Sequence, residues 1–303
     1  MARILITGAG GFVGRRLAHW LAARGRDVIA LVHRSPEGDV AASLAHQRIE
    51  VCAMDLEHPR FDALPTDAEA VVALAQSPYH RDFPERAGEI FAVNVVSHAA
   101  LLEWARARGV RRFVYASSGG VYGSRARLAV AESEPFAVDA PLGFYLGSKL
   151  CAEVICQNYR HFFDTAAILR PFFVYGPGQR LDMLIPRLID SVRSGQAIKL
   201  QGPNGLRLNP VYVYDAVEAF AAALDVRGHH ILNLGGPDVV SLREIGGQIG
   251  HLLGKAAQFE TAEGAPSDYV GDTTLACSIL GAPRTSFAQG IAQTLQAEQV
   301  SPQ

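Results

Sequence analysis

Arg3-Ile4-Leu5-Ile6-Thr7-Gly8-Ala9-Gly10-Gly11-Phe12-Val13-Gly14 is the stretch whose reading decides the fold. Arg3 to Thr7 is a short apolar run of the kind that forms a buried parallel strand. Gly8, Gly11 and Gly14 then recur with a Gly-x-x-Gly-x-x-Gly spacing. Phe12 to Arg24 reads as a helix with Val13, Leu17, Trp20 and Leu21 on one face, and Gly25 stops it. A glycine-rich turn between a strand and a helix lets backbone approach a pyrophosphate, and the helix N-terminus supplies N–H groups and partial positive charge. Gly14 also lets the helix pack close to the sheet. Gly8, Gly11, Phe12, Val13 and Gly14 are therefore candidate dinucleotide ligands.

Outward from this turn, apolar runs and helical periods alternate. Strands are expected at Asp27–Val32, near Ile49–Ala53, and at Ala70–Ala75, Arg112–Ser117 and Ala166–Leu169. Long helices are expected at Glu89–Arg108, closed by Gly109, and at Phe144–Phe163. The alternation predicts an α/β fold: a Rossmann-like doubly wound parallel sheet with its ligand edge at the strand C-termini. Beyond Arg170 the pattern loosens, with Pro171, Pro177, Gly178, Pro186, Gly202, Pro203 and Pro210 as punctuation. Residues 1–170 are thus read as a dinucleotide-binding domain that carries the catalytic residues. Residues 171–303 are read as mainly a smaller C-terminal substrate-binding lobe, with some segments returning to the sheet. The polar tail from Gln296 is expected to fray.

The bulk composition narrows the class. The chain has 303 residues, 49% of them hydrophobic and 19% charged, with a net charge of −2. This fits a globular enzyme with a large core, and the scattered basic residues give no nucleic-acid surface. Cys52, Cys151, Cys156 and Cys277 show no metal-binding spacing, so no metal is expected and the thiols read as buried and free. No apolar run reaches the roughly 20 residues of a membrane span and no secretory leader is recognisable, which points to a cytoplasmic protein with no membrane partner.

The chemistry lies in Tyr145-Leu146-Gly147-Ser148-Lys149. Tyr145 and Lys149 are four residues apart, on one face of a helix. A phenol with an ordinary pKa near 10 is a poor base at neutral pH, and a nearby ammonium lowers that value. Ser118 follows a strand at the sheet's C-terminal edge, where its hydroxyl can bond a substrate oxygen. At the end of the second strand, Val32 stands where an acid for the ribose 2′-hydroxyl of NAD is expected. Arg34, helped by His33, can pair instead with a 2′-phosphate, so the NAD(P) reading leans to NADP. Asp55, after the third strand, is a candidate partner of the adenine amino group.

These motifs resemble the extended short-chain dehydrogenases/reductases, the NAD(P)-dependent sugar epimerase/dehydratase group, over nearly the whole chain. The likeness includes Ala116-Ser117-Ser118-Gly119-Gly120-Val121-Tyr122-Gly123, Asn94-Val95-Val96, Arg170-Pro171-Phe172-Phe173-Val174-Tyr175-Gly176-Pro177-Gly178, Asn209-Pro210-Val211-Tyr212-Val213-Tyr214-Asp215 and Asn233-Leu234-Gly235-Gly236. The resemblance implies a Ser118–Tyr145–Lys149 triad, with Asn94 supporting the lysine. It implies that Leu74, Ala75 and Gln76 line the cofactor cleft, and that Pro171, Phe172 and Phe173 lie at the nicotinamide. Ser118, Gly119, Phe173, Gln179, Arg187 and Arg207 would face the substrate. It also implies a homodimer through the two long helices, with Ala99, Leu102, Ala152 and Ile155 as candidate face residues.

Two departures from the family limit the substrate. Gly119-Gly120 stand where an acid pair serves 4,6-dehydration, which argues against that activity. Phe173 replaces an asparagine common in the nucleotide-sugar enzymes. The leading reading is an oxidoreductase or epimerase acting on a sugar hydroxyl or ketone, with a nucleotide sugar as its small-molecule partner. The alternatives are an NADPH-dependent reductase of a non-sugar ketone and a non-catalytic dinucleotide sensor.

Overall fold

The computed structural model describes residues 3–33, 39–123, 129–136, 142–264 and 268–300. In chain order these form β1 (Arg3–Thr7), α1 (Phe12–Ala23), β2 (Val28–Val32), α2 (Asp39–Ser43), β3 (Ile49–Ala53), β4 (Ala68–Ala73), α3 (Ala87–Phe91), α4 (Ser97–Ala107), β5 (Arg112–Ala116), α5 (Phe144–Tyr159) and β6 (Thr165–Pro171). They continue with α6 (Leu184–Ser194), β7 (Ile198–Gln201), β8 (Arg207–Leu208), α7 (Val213–Ala223), β9 (Gly228–Leu234), β10 (Val240–Ser241), α8 (Leu242–Leu253), β11 (Phe259–Ala262), β12 (Asp268–Tyr269), α9 (Thr274–Leu280) and α10 (Phe287–Val300).

Seven strands form the main sheet in the order β3-β2-β1-β4-β5-β6-β9. The pairs from β3 through β6 are parallel. The strand order reverses between β1 and β4, and this switch point opens a crevice at the strand C-termini. All five residues of β2 are buried, which explains why its sequence is a continuous apolar run rather than an alternating one.

The chain divides into two compact units. The first comprises Met1–Val121, Phe136–Arg170 and Val217–Leu232. Its core gathers Leu5, Ile29, Val71, Leu101, Phe113 and Ile168 between sheet and helices. The second comprises Tyr122–Pro135, Pro171–Ala216 and Asn233–Gln303. It holds the small sheets β10-β8-β12 and β11-β7, and its own core around Tyr175, Ile189, Tyr212, Ile245 and Phe287.

Several expectations need correction. The helix expected at Glu89–Arg108 is two α segments joined by a π-helical turn over Ala92–Val96. β4 ends at Ala73, after which Leu74 N donates to Thr7 O and Ala75 N to Thr7 Oγ1, each at 3.2 Å. The tail does not fray at Gln296: α10 runs to Val300, with Leu295 buried and Glu298 paired to Arg193 at 2.8 Å. Of the four free cysteines only Cys156 is buried, and Cys151 is exposed. Among the described residues no helix is long and apolar enough to cross a membrane, and no cluster of metal-ligating side chains occurs.

Candidate active site

The glycine turn after β1 is shaped by close approach. Gly8 has φ +70°, and a Cβ there would sit 2.9 Å from the backbone of Ala75. A Cβ on Gly14 would sit 2.2 Å from Gly8 O. The turn therefore packs against the loop after β4, bringing Gly8 beside Leu74 and Ala75. Gly11 is the N-cap of α1, offers no side-chain cap, and is followed by no acid in the first turn. The first-turn amides have no intrahelical partner, so Phe12, Val13 and Gly14 present open N–H donors. A cradle closed to any Cβ and lined with free amides fits a dinucleotide pyrophosphate.

At the adjacent strand ends Val32 is buried, which leaves no carboxylate on β2. The exposed His33 lies with its Nε2 3.8 Å from Asp55 Oδ1, so two of the candidate cofactor residues adjoin. Asp55 also accepts from Glu57 N at 3.0 Å. Arg34 lies outside the described residues.

The proton-transfer set assembles on the first two turns of α5. The Tyr145 hydroxyl donates to Gln76 Oε1 at 2.8 Å. Lys149 Nζ donates to Ala116 O at 2.8 Å and lies 6.0 Å from the Tyr145 ring centroid. Ser118 Oγ accepts from Gly120 N at 3.1 Å. A Cβ on Gly120 would lie 2.8 Å from Leu146 Cδ2, so the Ser118 loop packs directly on the first turn of α5. Burial pushes the Tyr145 phenol above its ordinary value, and burial likewise brings Lys149 down to about 8. The expectation that the ammonium lowers the phenol is thus corrected for this state: desolvation wins, and the phenol stays protonated.

A family model described as the NAD dependent epimerase/dehydratase family matches residues 4–235. The chain belongs to the NAD dependent epimerase/dehydratase family. It is accordingly an enzyme of the extended short-chain dehydrogenase/reductase type, as its motifs implied. It is 28% identical to a UDP-glucuronate 4-epimerase of Thermodesulfobacterium geofontis, covering 97% of this chain and 95% of that protein. It is 29% identical to a dTDP-4-dehydro-6-deoxy-D-allose reductase of a Streptomyces species, covering 83% and 81%. Among solved structures it resembles MoeE5 in complex with UDP-glucose and NAD, with TM-score 0.79, 29% identity and 99% of both chains covered.

Within this family member, residues behind the site link its elements. Asn94, on the π turn, is 3% exposed. Its amide accepts from Ser77 N at 2.8 Å and donates to Ser148 Oγ at 2.9 Å, so it ties the loop after β4 to α5, the helix that carries Lys149. Gln76 was read as a cofactor contact, and its bond to Tyr145 was not foreseen. Glu153, one turn beyond Lys149, was missed although its i,i+4 spacing from that lysine is visible in the sequence.

Among the substrate candidates of the second unit, each has its own setting. Phe172 is 2% exposed, with its ring stacked on Tyr122 and pressed against Gly271, while its N–H and C=O bond Leu234 and Val211. Its ring is thus turned into the packing of the second unit. Pro171, the last residue of β6, is half-buried. Phe173 is exposed, has φ +49° and meets Tyr269 edge-on at 5.9 Å. Gln179 Nε2 closes a turn on Val174 O at 2.7 Å. Arg187 is exposed on α6. The fork of Arg207 is occupied by Asp268 through bonds of 3.1 and 2.7 Å, so a diphosphate would have to displace that carboxylate or use the outer N–H groups.

Proposed function

We propose that the chain reduces or epimerises a nucleotide-linked sugar at a secondary carbinol. The observation that carries this is the Tyr145 hydroxyl, donated at 2.8 Å to an amide carbonyl oxygen with Lys149 one helical turn behind it. A protonated phenol facing a carbonyl oxygen is what the reductive half-reaction needs, with Gln76 Oε1 standing in for the oxygen of a ketone. When bound, the nicotinamide cofactor supplies or accepts the hydride. In reduction Tyr145 gives its hydroxyl proton to the ketone oxygen as the carbon gains hydride, and the Lys149 ammonium steadies the phenolate left behind. In oxidation the same phenolate removes the carbinol proton. Ser118 orients the reacting oxygen through its hydroxyl. Gly119 and Gly120 supply no carboxylic acid after Ser118, which argues against 4,6-dehydration.

The nucleotide-sugar assignment is supported by relatives that include an epimerase and a reductase of UDP- and dTDP-sugars. For the cofactor we favour NADP over NAD, because β2 ends in buried Val32 with His33 and Arg34 next in the chain. Parallel titrations with NADPH and NADH check this, and tighter NADH binding would overturn it. A homodimer through α4 and α5 is also part of the proposal. Leu102 and Ala152 are buried within the unit and cannot serve it; the exposed large apolar residues are Val154 on α5 and, beside the two helices, Phe91, Val96 and Phe162. Light scattering at micromolar protein decides the oligomer. A cytoplasmic location is also part of the proposal, because four free thiols suit a reducing compartment.

The function is tested with Tyr145→Phe and UDP-glucuronic acid, UDP-glucose and a dTDP-4-keto sugar as substrates. Turnover should fall by at least about a hundredfold, the usual contribution of a positioned acid or base. NAD(P)H affinity should change little. Full activity in the variant, or no turnover of any nucleotide sugar by the parent enzyme, would sink the reading.

A further inference from the structure

Lys149 is 2% exposed. Among the described residues its Nζ donates to the Ala116 carbonyl and pairs with no carboxylate. Two ring faces complete its surroundings, Tyr115 with its centroid at 5.2 Å and Tyr145 at 6.0 Å. A carbonyl and two π faces thus replace the water that an ammonium would keep outside the protein.

Tyr115 sits on β5, immediately before Ala116 and three residues before Ser118. Its ring also packs against His98 of α4, with centroids 4.3 Å apart and planes tilted by 44°. Its hydroxyl is buried and has no hydrogen-bond partner among the described residues. The ring, and not the hydroxyl, is therefore what this residue offers its neighbours.

We propose that Tyr115 is a positioning residue for Lys149: the face of its ring holds the buried ammonium behind Tyr145 and keeps it charged. The other titratable groups that act on this lysine are Tyr145, Glu153 and Cys156 on α5 and His98 on α4. Burial outweighs the opposing pull of Glu153 and Cys156 and leaves Lys149 at about 8. His98 is itself brought to about 3 by burial and by the Lys149 charge, so it stays neutral beneath the ring. With the imidazole neutral, Lys149 is the one cation among the described residues recorded over the Tyr115 ring. Loss of that face leaves Lys149 deprotonating closer to neutral pH, where a reductase or epimerase needs it charged. The catalytic consequence rests on the proposed function; the charge state of Lys149 does not.

The test follows the lysine directly in the full chain. The sequence holds three lysines, Lys149, Lys199 and Lys255, so protein labelled at lysine Cε gives three ¹³C NMR signals. Tyr115→Phe should keep the parent titration midpoint for Lys149. Progressive fluorination of that phenylalanine, which empties the ring face at nearly constant shape, should lower the midpoint stepwise by about one pH unit in all. Tyr115→Leu should reach a similarly low value. A midpoint independent of fluorine number, or a shift in Tyr115→Phe as large as in the fluorinated series, overturns the proposal. The fluorinated variants fold around the same volume, so the result survives if Tyr115→Leu does not fold. No cofactor or substrate enters the measurement, so a failed Tyr145→Phe test leaves its outcome separate.

Discussion

Glu153 and Arg170 form a bidentate ion pair, with bonds of 3.0 and 2.6 Å, between α5 and the end of β6. Their side chains are 1% and 2% exposed, and the guanidinium also lies 5.1 Å from the Phe136 ring. The pair fixes the helix that carries Tyr145 and Lys149 to the strand that leads out of the first unit. Removing one partner leaves a buried charge alone. Arg170→Met should therefore lower stability by roughly 3–5 kcal/mol in chemical denaturation. The double replacement Glu153→Leu with Arg170→Met should recover most of that loss, because no charge remains to be solvated. A single variant that costs less than about 1 kcal/mol would show that water reaches the pair.

The first unit was largely legible because β1, β2, β4, β5 and β6 are mostly buried and read as short apolar runs. Gly8 and Gly14 were legible for a steric reason, since only a missing Cβ allows the turn to meet Ala75 and the helix to meet Gly8. What escaped was long-range. Gln76 reaches Tyr145 across 69 positions and Asn94 reaches Ser148 across 54. Local spacing carries no signal for such contacts. Phe172 shows the converse: its place in the motif suggested a ligand contact, while packing on Tyr122 and Gly271 turned it inward.

Phe173 carries a left-handed backbone, φ +49°. A side chain with a Cβ pays roughly 1–2 kcal/mol there, and asparagine is among the residues that tolerate it best. The edge contact with Tyr269 offsets part of this cost. Phe173→Ala keeps the strain and loses the ring, whereas Phe173→Asn loses the ring and eases the strain. The asparagine variant should therefore be more stable than the alanine variant by about 1 kcal/mol, measured by urea unfolding. Equal stabilities would mean that the backbone relaxes out of the left-handed region once the ring is gone.

His98 gives the protein a calculable acid sensitivity. It is buried against Tyr115 and Phe113, with Nε2 2.9 Å from Cys156 Sγ. Burial, helped by the Lys149 charge, pushes it down from 6.5 to about 3. The unfolded chain takes up a proton at His98 below pH 6.5, and the folded chain does not until about pH 3. Stability is therefore present in full above pH 6.5 and falls as the pH drops towards 3. At pH 5 the loss from this residue is roughly 2 kcal/mol, from about 1.4 kcal/mol per pH unit. His98→Leu removes the term while leaving the paired carboxylates that also weaken in acid. The gap in unfolding free energy between parent and variant should close by that amount between pH 7.5 and pH 5, in the parent's disfavour. Parallel curves would mean that His98 takes up its proton in the folded protein as readily as in the unfolded chain, with the Cys156 sulfur accepting a hydrogen bond from the imidazolium, and would give the Tyr115 ring a second cation.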